Sequence, residues 1–327
     1  MQRRAPLTIP CVLLTACGLL LGAGPAPAAD EIITLGAGNV VGVYYAAGSG
    51  MAKIFNKKRG TYRQWLVPVA TPGTVANISS VIGGSNQFGL AQLNMLEKSI
   101  RGTDPGTTHP GTNLVAVLGL YSEALTIVAA GDAGVERLAD LKGKRVNIGA
   151  PGSSTHESAL PILARAGLQP SDLKLNEEPS FKASDLLEEG RIDAYFFTAG
   201  HPNLSVREAT SGKRKAVLLP VGQDIIDYCL ALNPNLKAVS IETDYYPALI
   251  NREPVPTVGT KVILFARGDR DEELVYRLVK EVMTNLDLFR RQQPALSALT
   301  AKDLADVAGL PMHPGARRYF REVGLLP

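Results

Sequence analysis

The sequence predicts an α/β fold built as two lobes with a cleft between them. After residue 30, short β-rich runs alternate with helical stretches, which is typical of helices packed on mainly parallel sheets. Roughly 300 residues follow an N-terminal leader, and a chain of that length suits two domains better than one small core. The chain enters a second α/β unit near residue 125 and leaves it near 257, so two crossing segments form a hinge.

The strands and helices can be assigned in order along the chain. The β-rich runs predict strands at 32–36, 65–70, 87–92, 113–120, 125–130, 145–148, 194–197, 216–220 and 257–266. The helical stretches predict helices at 44–58, 75–83, 95–100, 154–166, 182–189, 204–210, from 224, and at 271–292. The last helix begins with acidic residues and ends with basic ones, which matches the helix dipole. Residues 233–256 contain four prolines and are predicted to be an irregular connection. Lobe 1 then comprises 30–124 plus 258–327, and lobe 2 comprises 125–257.

Residues 1–29 have the composition of a cleavable secretory signal peptide. Two arginines at 3 and 4 precede a largely apolar run over 7–21, and small residues follow over 24–29. The apolar run is too short and interrupted for a transmembrane span. Lipid anchoring at Cys17 is not favoured, because the apolar run continues past that residue. We therefore expect export, with a periplasmic location.

Cysteine content and net charge argue against a disulfide-stabilised fold and against a nucleic-acid-binding protein. Only Cys229 remains after cleavage, since Cys11 and Cys17 lie in the leader, so no intramolecular disulfide is possible. Loss of the two leader arginines takes Lys plus Arg from 34 to 32 against 31 acidic residues, a net charge near +1. This balance gives no electrostatic footprint for nucleic acid, and no nucleic-acid partner is expected.

Five segments could contact a ligand, and each lies where a strand ends or the next helix begins. In open α/β sheets this edge is where ligands bind. The candidate ligand-binding residues in these segments are Gly38, Asn39, Tyr44, Thr71, Gly73, Thr74, Asn77, Gln92, Asn94, Ser153, Ser154, Thr155, Thr198 and His201. Glu123 lies at the first crossing and is assigned equally to the ligand or to the hinge. Five such segments, split between two lobes, predict one site in the cleft.

The glycine-rich turn at 36–42, G-A-G-N-V-V-G, does not fit a dinucleotide. Three residues separate its second and third glycines, where the dinucleotide fingerprint has two. The region 55–62, where an acidic residue should hold the ribose, is basic instead. The glycines either serve backbone geometry alone or expose amides and a helix N-terminus to an anion. By composition, 149–158 is the strongest anion-site candidate, because Ser153, Ser154 and Thr155 offer hydroxyls at a helix start.

Motifs for catalysis or metal binding are missing from the sequence. The mature chain has no G-x-S-x-G elbow, and its histidines show neither H-x-x-x-H nor H-E-x-x-H spacing. We expect no cofactor, no metal and no enzymatic activity. The alternative from another class is an exported serine hydrolase that uses Ser153 or Ser154, with His156 and Glu157 as sequence neighbours.

Six landmarks carry a family resemblance. They are I-T-L-G-A-G-N-V-V-G-V-Y-Y (33–45), T-P-G-T-V-A-N-I (71–78), F-G-L-A-Q (88–92), D-L-K-G-K-R-V-N-I-G-A-P-G-S (140–153), I-D-A-Y-F-F-T-A-G-H-P-N (192–203) and H-P-G-A-R-R-Y (313–319). Across the mature chain, the sequence resembles the TAXI family of extracytoplasmic receptors of TRAP (tripartite ATP-independent periplasmic) transporters.

The resemblance implies a type II periplasmic-binding-protein fold whose two α/β lobes close on one ligand. The implied ligand is a small carboxylate or amino acid, such as glutamate, glutamine or a 2-oxoacid. The implied partner is a TRAP membrane permease, fused or separate, and the receptor is expected to be a monomer. Carried over residue by residue, the resemblance places Tyr45, Thr74, Asn77, Gln92, Ser153 and His201 closest to the cleft.

Two departures from the family pattern bear on the ligand. This chain has Pro72 where relatives commonly have glycine, and Asn94 near the position where they commonly have Asp. An Asp there could pair with the amine of an amino acid, whereas Asn94 supplies no charge, so a plain or oxo-carboxylate is favoured. A receptor for another importer or for a sensor kinase remains the alternative partner assignment.

Overall fold

The computed structural model describes residues 30–103 and 113–327, and the signal-peptide prediction for 1–29, with Cys17, lies outside them. Within these residues there are ten strands: β1 (Glu31–Gly36), β2 (Gln64–Val69), β3 (Phe88–Gln92), β4 (Leu114–Ala130), β5 (Arg145–Asn147), β6 (Lys174–Asn176), β7 (Ala194–Ala199), β8 (Ala216–Leu218), β9 (Leu236–Ile241) and β10 (Val255–Arg267). The same residues form twelve α-helices: α1 (Val43–Phe55), α2 (Arg59–Tyr62), α3 (Thr74–Ile82), α4 (Leu93–Arg101), α5 (Ser154–Arg165), α6 (Ala183–Glu188), α7 (Leu204–Ser211), α8 (Gln223–Leu232), α9 (Glu272–Thr284), α10 (Leu286–Arg290), α11 (Ala301–Ala305) and α12 (Pro314–Glu322). In the part of the chain that the structure describes, no helix combines the length and apolar character needed to cross a membrane.

The described strands all belong to one mixed sheet. Its order is β2-β1-β3-β10-β4-β7-β5-β6, with β8 paired to β4 and β9 paired to β10. Parallel pairs lie towards the two ends, β1 with β2 and β3 at one end, β5 with β6 and β7 at the other. In the centre, β4 and β10 run antiparallel to each other and to the strands beside them. The sheet therefore continues through both halves of the molecule.

The two predicted strands at 113–120 and 125–130 are one strand, so the predicted break between them was wrong. β4 runs for 17 residues, and Ser122 and Glu123 stay in register with Lys261 and Thr260 of β10. At Ala124 the pairing passes from β10 to β7, because this residue lies opposite Gly259 of β10 and opposite Ala199 of β7. Polar residues interrupt the apolar pattern there while the backbone pairing continues, which explains why the sequence suggested two elements.

Buried apolar side chains form three clusters. The largest draws on residues 33–121 and 262–320, and the other two draw on residues 124–258. Phe196 belongs to one of the latter two clusters, and Tyr195 and Phe197 belong to the other. Successive residues of a strand point to opposite faces, so these two clusters cover the two faces of the same part of the sheet.

Two further predictions need correction. The segment 233–256 is not entirely irregular, because it contains β9, which pairs antiparallel with β10. Most of β9 is exposed or half-buried, so it lacks the apolar alternation that marks a strand. The long helix predicted over 271–292 is divided into α9 and α10 at Asn285, whose φ of −116° and ψ of 30° are not helical. The elements β6, α2, α11 and α12 were not predicted.

Candidate functional site

A cleft of about 460 Å³ lies where β1, β2, β5 and β7 end, with walls from both halves of the molecule. The predicted site residues that line it are Gly38, Asn39, Tyr44, Thr71, Gly73, Thr74, Glu123, Ser153, Ser154, Thr155 and Thr198. The carboxyl edge of the strands thus brings together residues from four of the five predicted segments, with Glu123 from the middle of β4. Their role in ligand binding remains a prediction.

Three helices begin at the cleft. The first residues of α1, α3 and α5 are Val43, Thr74 and Ser154, and all three line the cavity. The residues before α1 and α3 are Gly42 and Gly73, which have no side chain that could cap the helix. First-turn amides of a helix have no partner within the helix, and the helix dipole places partial positive charge there. The cleft is therefore a site where backbone groups favour an anion.

Helix α5, unlike α1 and α3, has a side-chain cap, which is Ser153. Ser153 Oγ accepts a hydrogen bond from the His156 amide at 3.2 Å and donates one to the Ala150 carbonyl at 2.7 Å. His156 Nε2 lies 3.0 Å from Glu177 Oε1. The Ser153 hydroxyl and the His156 imidazole thus have separate partners, and this geometry gives the serine-hydrolase alternative no nucleophile–base pair at these two residues.

Charge in the cleft is unusual for an anion site. Among the described lining residues there is no Lys or Arg, and Glu123 is the one residue with a carboxyl group. Glu123 Oε2 accepts hydrogen bonds from Tyr44 OH at 3.2 Å and from Gln92 Nε2 at 2.9 Å. Burial raises the pKa of Glu123 from 4.5 to about 7, although these two donors act in the opposite direction. Burial thus favours the protonated, uncharged form of Glu123.

Tyrosine hydroxyls near Glu123 stay protonated. Burial, together with the Glu123 carboxyl group, holds the pKa values of Tyr44 and Tyr121 well above 10. Tyr44 OH lies 3.1 Å from Thr74 Oγ1, and Thr74 Oγ1 in turn accepts a hydrogen bond from the backbone N–H of Gln92 at 3.3 Å. This buried network joins the start of α3 and the end of β3 to the middle of β4.

The loop before α3 and the loop before α5, one from each half of the molecule, lie close together at the cleft. A Cβ built on Gly73 would lie 3.8 Å from Ser153 Cα, and one built on Gly152 would lie 4.0 Å from Pro72 Cβ. Gly73 has a φ of +134°, a conformation that L side chains rarely adopt. The loops therefore stand in van der Waals contact range, with the cavity beside them.

Five predicted site residues do not line the cleft: Tyr45, Asn77, Gln92, Asn94 and His201. Asn77 is fully buried, where its Nδ2 donates to the Leu90 carbonyl at 2.7 Å and its Oδ1 accepts from Thr71 Oγ1 at 2.6 Å. Tyr45 is half-buried and packs against the largest core cluster. Asn77 can still act indirectly, since it orients Thr71, whose Oγ1 accepts from the Gly38 amide at 3.0 Å.

His201 is half-buried and does not line the cleft. Its Nε2 is 2.8 Å from Thr126 Oγ1 and its Nδ1 is 2.5 Å from Tyr246 OH. Burial lowers the pKa of His201 to about 4, so the imidazole is neutral at neutral pH. Tyr246 OH also accepts from the amide of Asn203, the N-cap residue of α7. His201 therefore connects β4 to the start of α7.

Gln92 and Asn94 line a second cavity of about 480 Å³, which shares Glu123 and Thr198 with the cleft. Asn94 Oδ1 is buried and has no hydrogen-bond partner among the described residues. Asn94, which stands near the position where the TAXI family commonly has an Asp, thus lines the second cavity.

Sequence reasoning missed several lining residues. They are Val40, Gly42, Val43, Ala70, Pro72, Ala150, Pro151, Pro179, Ser180, Phe181, Phe197, Ala199 and Asn203. Pro179 to Phe181 follow β6, an unpredicted strand, so nothing in the sequence placed them at the edge of the sheet. Asn203 carried a signal, because Asn before a helical stretch is a common N-cap. No group of three or more His, Cys, Asp or Glu in the described residues could hold a metal ion.

Solved structures with the same fold include periplasmic binding proteins. The periplasmic binding protein BugD aligns with a TM-score of 0.55 at 14% identity, covering 90% of this chain and 98% of its own. A protein from Bordetella bronchiseptica RB50 aligns with a TM-score of 0.53 at 16% identity, covering 91% and 98%. One assigned as an L-cystine ABC transporter, from Listeria monocytogenes, gives 0.50 at 15%, covering 84% and 99%. The predicted two-lobed periplasmic-binding-protein fold is confirmed.

A family comparison supplies the classification. The model of the NMT1-like family matches residues 35–324. This range contains all six landmark segments except residues 33 and 34, the first two of the segment 33–45. The match does not resolve the narrower TAXI resemblance. By this match the chain belongs to the NMT1-like family.

Proposed function

We propose that the protein is a periplasmic solute-binding receptor that captures a small organic anion, with a carboxylate as its charged group, and catalyses no reaction. The observation that carries this proposal is the meeting of two uncapped helix N-termini, those of α1 and α3, in a cleft between two lobes. Hydrogen bonds from amides to a charged acceptor are strong, so a carboxylate can be held without Lys or Arg.

Glu123 supports a ligand without an ammonium group. In its protonated form, Glu123 adds no negative charge to the cleft and leaves the helix ends free to attract an anion. An amino-acid ligand would instead need an ionised partner, and Glu123 would have to release its proton. We therefore favour 2-oxoacids and other plain carboxylates, including dicarboxylates, over amino acids such as glutamate.

Thermal melting of residues 30–327 against paired ligands tests the receptor function. Binding to the native state alone raises the melting temperature by mass action. Each carboxylate is compared with its neutral amide, for example pyruvate with pyruvamide, after unfolding and refolding to remove any bound ligand. Stabilisation by carboxylates but not by amides supports the proposal. Equal stabilisation by both, or by neither, contradicts it.

We propose a TRAP-type secondary transporter as the recipient of the ligand. The support is the run of landmarks that the sequence shares with the TAXI family, from 33–45 to 313–319. The alternatives are an ATP-driven importer and a sensor kinase. Proteoliposomes that contain a candidate permease distinguish them: uptake driven by an ion gradient without ATP supports the proposal, and uptake that requires ATP hydrolysis contradicts it.

A further inference from the structure

The second cavity adjoins the anion cleft and also lies between the two halves of the molecule. Helices α3 and α4 form one side of it, and α5 and α8 form the other. Glu123 and Thr198 line both cavities, so the two spaces meet at these side chains. A ligand bound in the cleft therefore has a second space of similar size directly beside it.

The walls of the second cavity differ in chemistry from those of the cleft. Its deep wall is apolar, with the buried side chains Ile78, Leu125, Ile162 and Val258. Towards the solvent, Tyr228 is 43% exposed and Leu232 is 67% exposed, two of the large apolar side chains that the fold leaves uncovered. Lys98 and Glu157 are exposed and of opposite charge, so their charges offset each other and leave the Glu123 carboxyl group that both cavities share. The deep wall can accommodate an apolar group, and the polar side chains Gln92, Asn94 and Asn233 line the remainder of the cavity.

Thr198 marks the junction of the two spaces. It is 9% exposed, and its amide donates to Thr155 Oγ1 at 3.1 Å, which fixes the position of the residue at the end of β7. Its own Oγ1 is buried and has no partner among the described residues. Buried hydroxyls are rarely left without a hydrogen bond, so an unpaired one beside Glu123 points to a polar ligand group at this place.

We propose that the two cavities hold one ligand, with its carboxylate head at the N-termini of α1 and α3 and an apolar chain in the second cavity. The ligand class is then an amphiphilic monocarboxylate, such as a medium-chain alkanoate or its 2-oxo derivative. This inference rests on the proposed function, because it places the anionic head in the cleft.

Isothermal titration of residues 30–327 with acetate, butanoate, hexanoate, octanoate and decanoate tests the inference. Affinity should rise about fourfold for each added methylene until the second cavity is full, as expected for burial of apolar chain. Cys229 lines this cavity and is half-buried, so Cys229→Trp should fill the space. The variant should bind acetate and butanoate as the unmodified protein does and lose the gain from longer chains.

Val323→Trp is the matched control, since it adds the same side chain at an exposed position outside both cavities. It should keep the full dependence on chain length. An unchanged chain-length dependence in Cys229→Trp, or tighter binding of dicarboxylates than of monocarboxylates of equal length, overturns the inference and leaves the anion receptor intact. Failure of every carboxylate, short or long, overturns the receptor proposal as well.

A measurement on the unmodified protein guards against misfolding of the variant. N-ethylmaleimide alkylates Cys229, the one described cysteine, and burial raises the pKa of its thiol, so the reaction is run at neutral pH over a longer time. Decanoate should slow alkylation severalfold, whereas acetate at saturating concentration should not. Equal rates with both ligands contradict an apolar chain in the second cavity.

Discussion

Glu123 is the side chain that belongs both to the proposed ligand site and to the place where β4 crosses between the two halves of the molecule. It lies in β4 opposite Thr260 of β10, lines both cavities, and is held by Tyr44 and Gln92. Its ionised form would place a negative charge in a cleft whose other polar groups favour an anion. Anion affinity should therefore fall as the pH rises through about 7, the pKa of Glu123.

Glu123→Gln should remove one component of the pH dependence of stability. Because the pKa of Glu123 is raised from 4.5 to about 7 in the folded state, its stabilising contribution is complete below 4.5 and is lost as the pH rises through 7. The shift corresponds to roughly 3 kcal/mol. We expect the free energy of unfolding, measured in urea at a series of pH values, to lose this slope in Glu123→Gln.

Glu253→Gln is the control for that experiment, because Glu253 is exposed. His201 contributes the opposite slope, since its pKa is lowered to about 4: its contribution is complete above 6.5 and is lost as the pH falls through 4. That slope is common to all the proteins compared. Equal slopes in Glu123→Gln and the unmodified protein would mean that Glu123 is not buried as the structure shows.

His201→Ala should reduce stability without changing ligand affinity. The substitution removes the hydrogen bonds with Thr126 and Tyr246, at a cost of roughly 1–3 kcal/mol in the free energy of unfolding. His156→Ala, on the side of α5, should change stability by only about 0.5 kcal/mol. Urea denaturation and titration with the best carboxylate check both. A large loss of affinity in His201→Ala would restore the sequence prediction of direct ligand contact.

Among the elements, α1 and α3 show how a missing cap can serve binding. Gly42 and Gly73 stand where Ser, Thr, Asp or Asn would ordinarily cap the helix, whereas α5, α7 and α9 carry such caps in Ser153, Asn203 and Asp271. A cap would occupy the amides that we propose for the ligand. These two helix starts thus forgo a small gain in stability.

Gly42→Asp should reverse that arrangement. An Asp at the N-cap accepts hydrogen bonds from first-turn amides and stabilises the helix by a few tenths of a kcal/mol relative to glycine. Its carboxylate should also weaken anion binding by roughly tenfold, because it takes the place of the ligand at the helix dipole. Gly42→Ala controls for the added Cβ, which would lie 3.2 Å from the Asn39 carbonyl oxygen. Titration that finds equal affinities in the two variants would remove α1 from the site.

The elements also show what the sequence could and could not predict. Alternating apolar strands and amphipathic helices placed most of the sheet and the loops at its carboxyl edge, which is why four of the five ligand segments meet. The sequence could not show that Ser122 and Glu123 continue a strand, because polar residues in an apolar run look like a break. It could not separate His201 from the cleft either, since a half-buried structural histidine and a ligand-binding one have the same local pattern.

In the molecule as a whole, the crossing is made of paired strands rather than of two free loops. β4 and β10 pair across it, with Gly259 opposite Ala124 and Thr260 opposite Glu123. Any movement of the lobes must therefore twist or bend a hydrogen-bonded ribbon. We expect the ligand to favour the arrangement in which the loops before α3 and α5 lie close together.

A disulfide between these loops should trap the ligand. The distance of 4.0 Å between Pro72 Cβ and a Cβ built on Gly152 lies within the disulfide range. In a Cys229→Ala background, Pro72→Cys with Gly152→Cys should oxidise faster when a bound carboxylate is present. The oxidised protein should release that ligand more slowly than the reduced one, as stopped-flow dissociation would show. Each single-cysteine variant serves as a control, and equal release rates in both redox states would argue against closure.

The continuous sheet also orders the steps by which the chain can assemble. The clusters formed by residues 124–258 come from one uninterrupted stretch, which can fold as soon as that stretch is available. The largest cluster needs residues 33–121 together with 262–320, and β3 gains its antiparallel partner only when β10 has been made. During synthesis from the N-terminus, the core cluster that contains residues 33–121 therefore stays incomplete until residues 262–320 have been made. The half that is synthesised second is the half that can fold first.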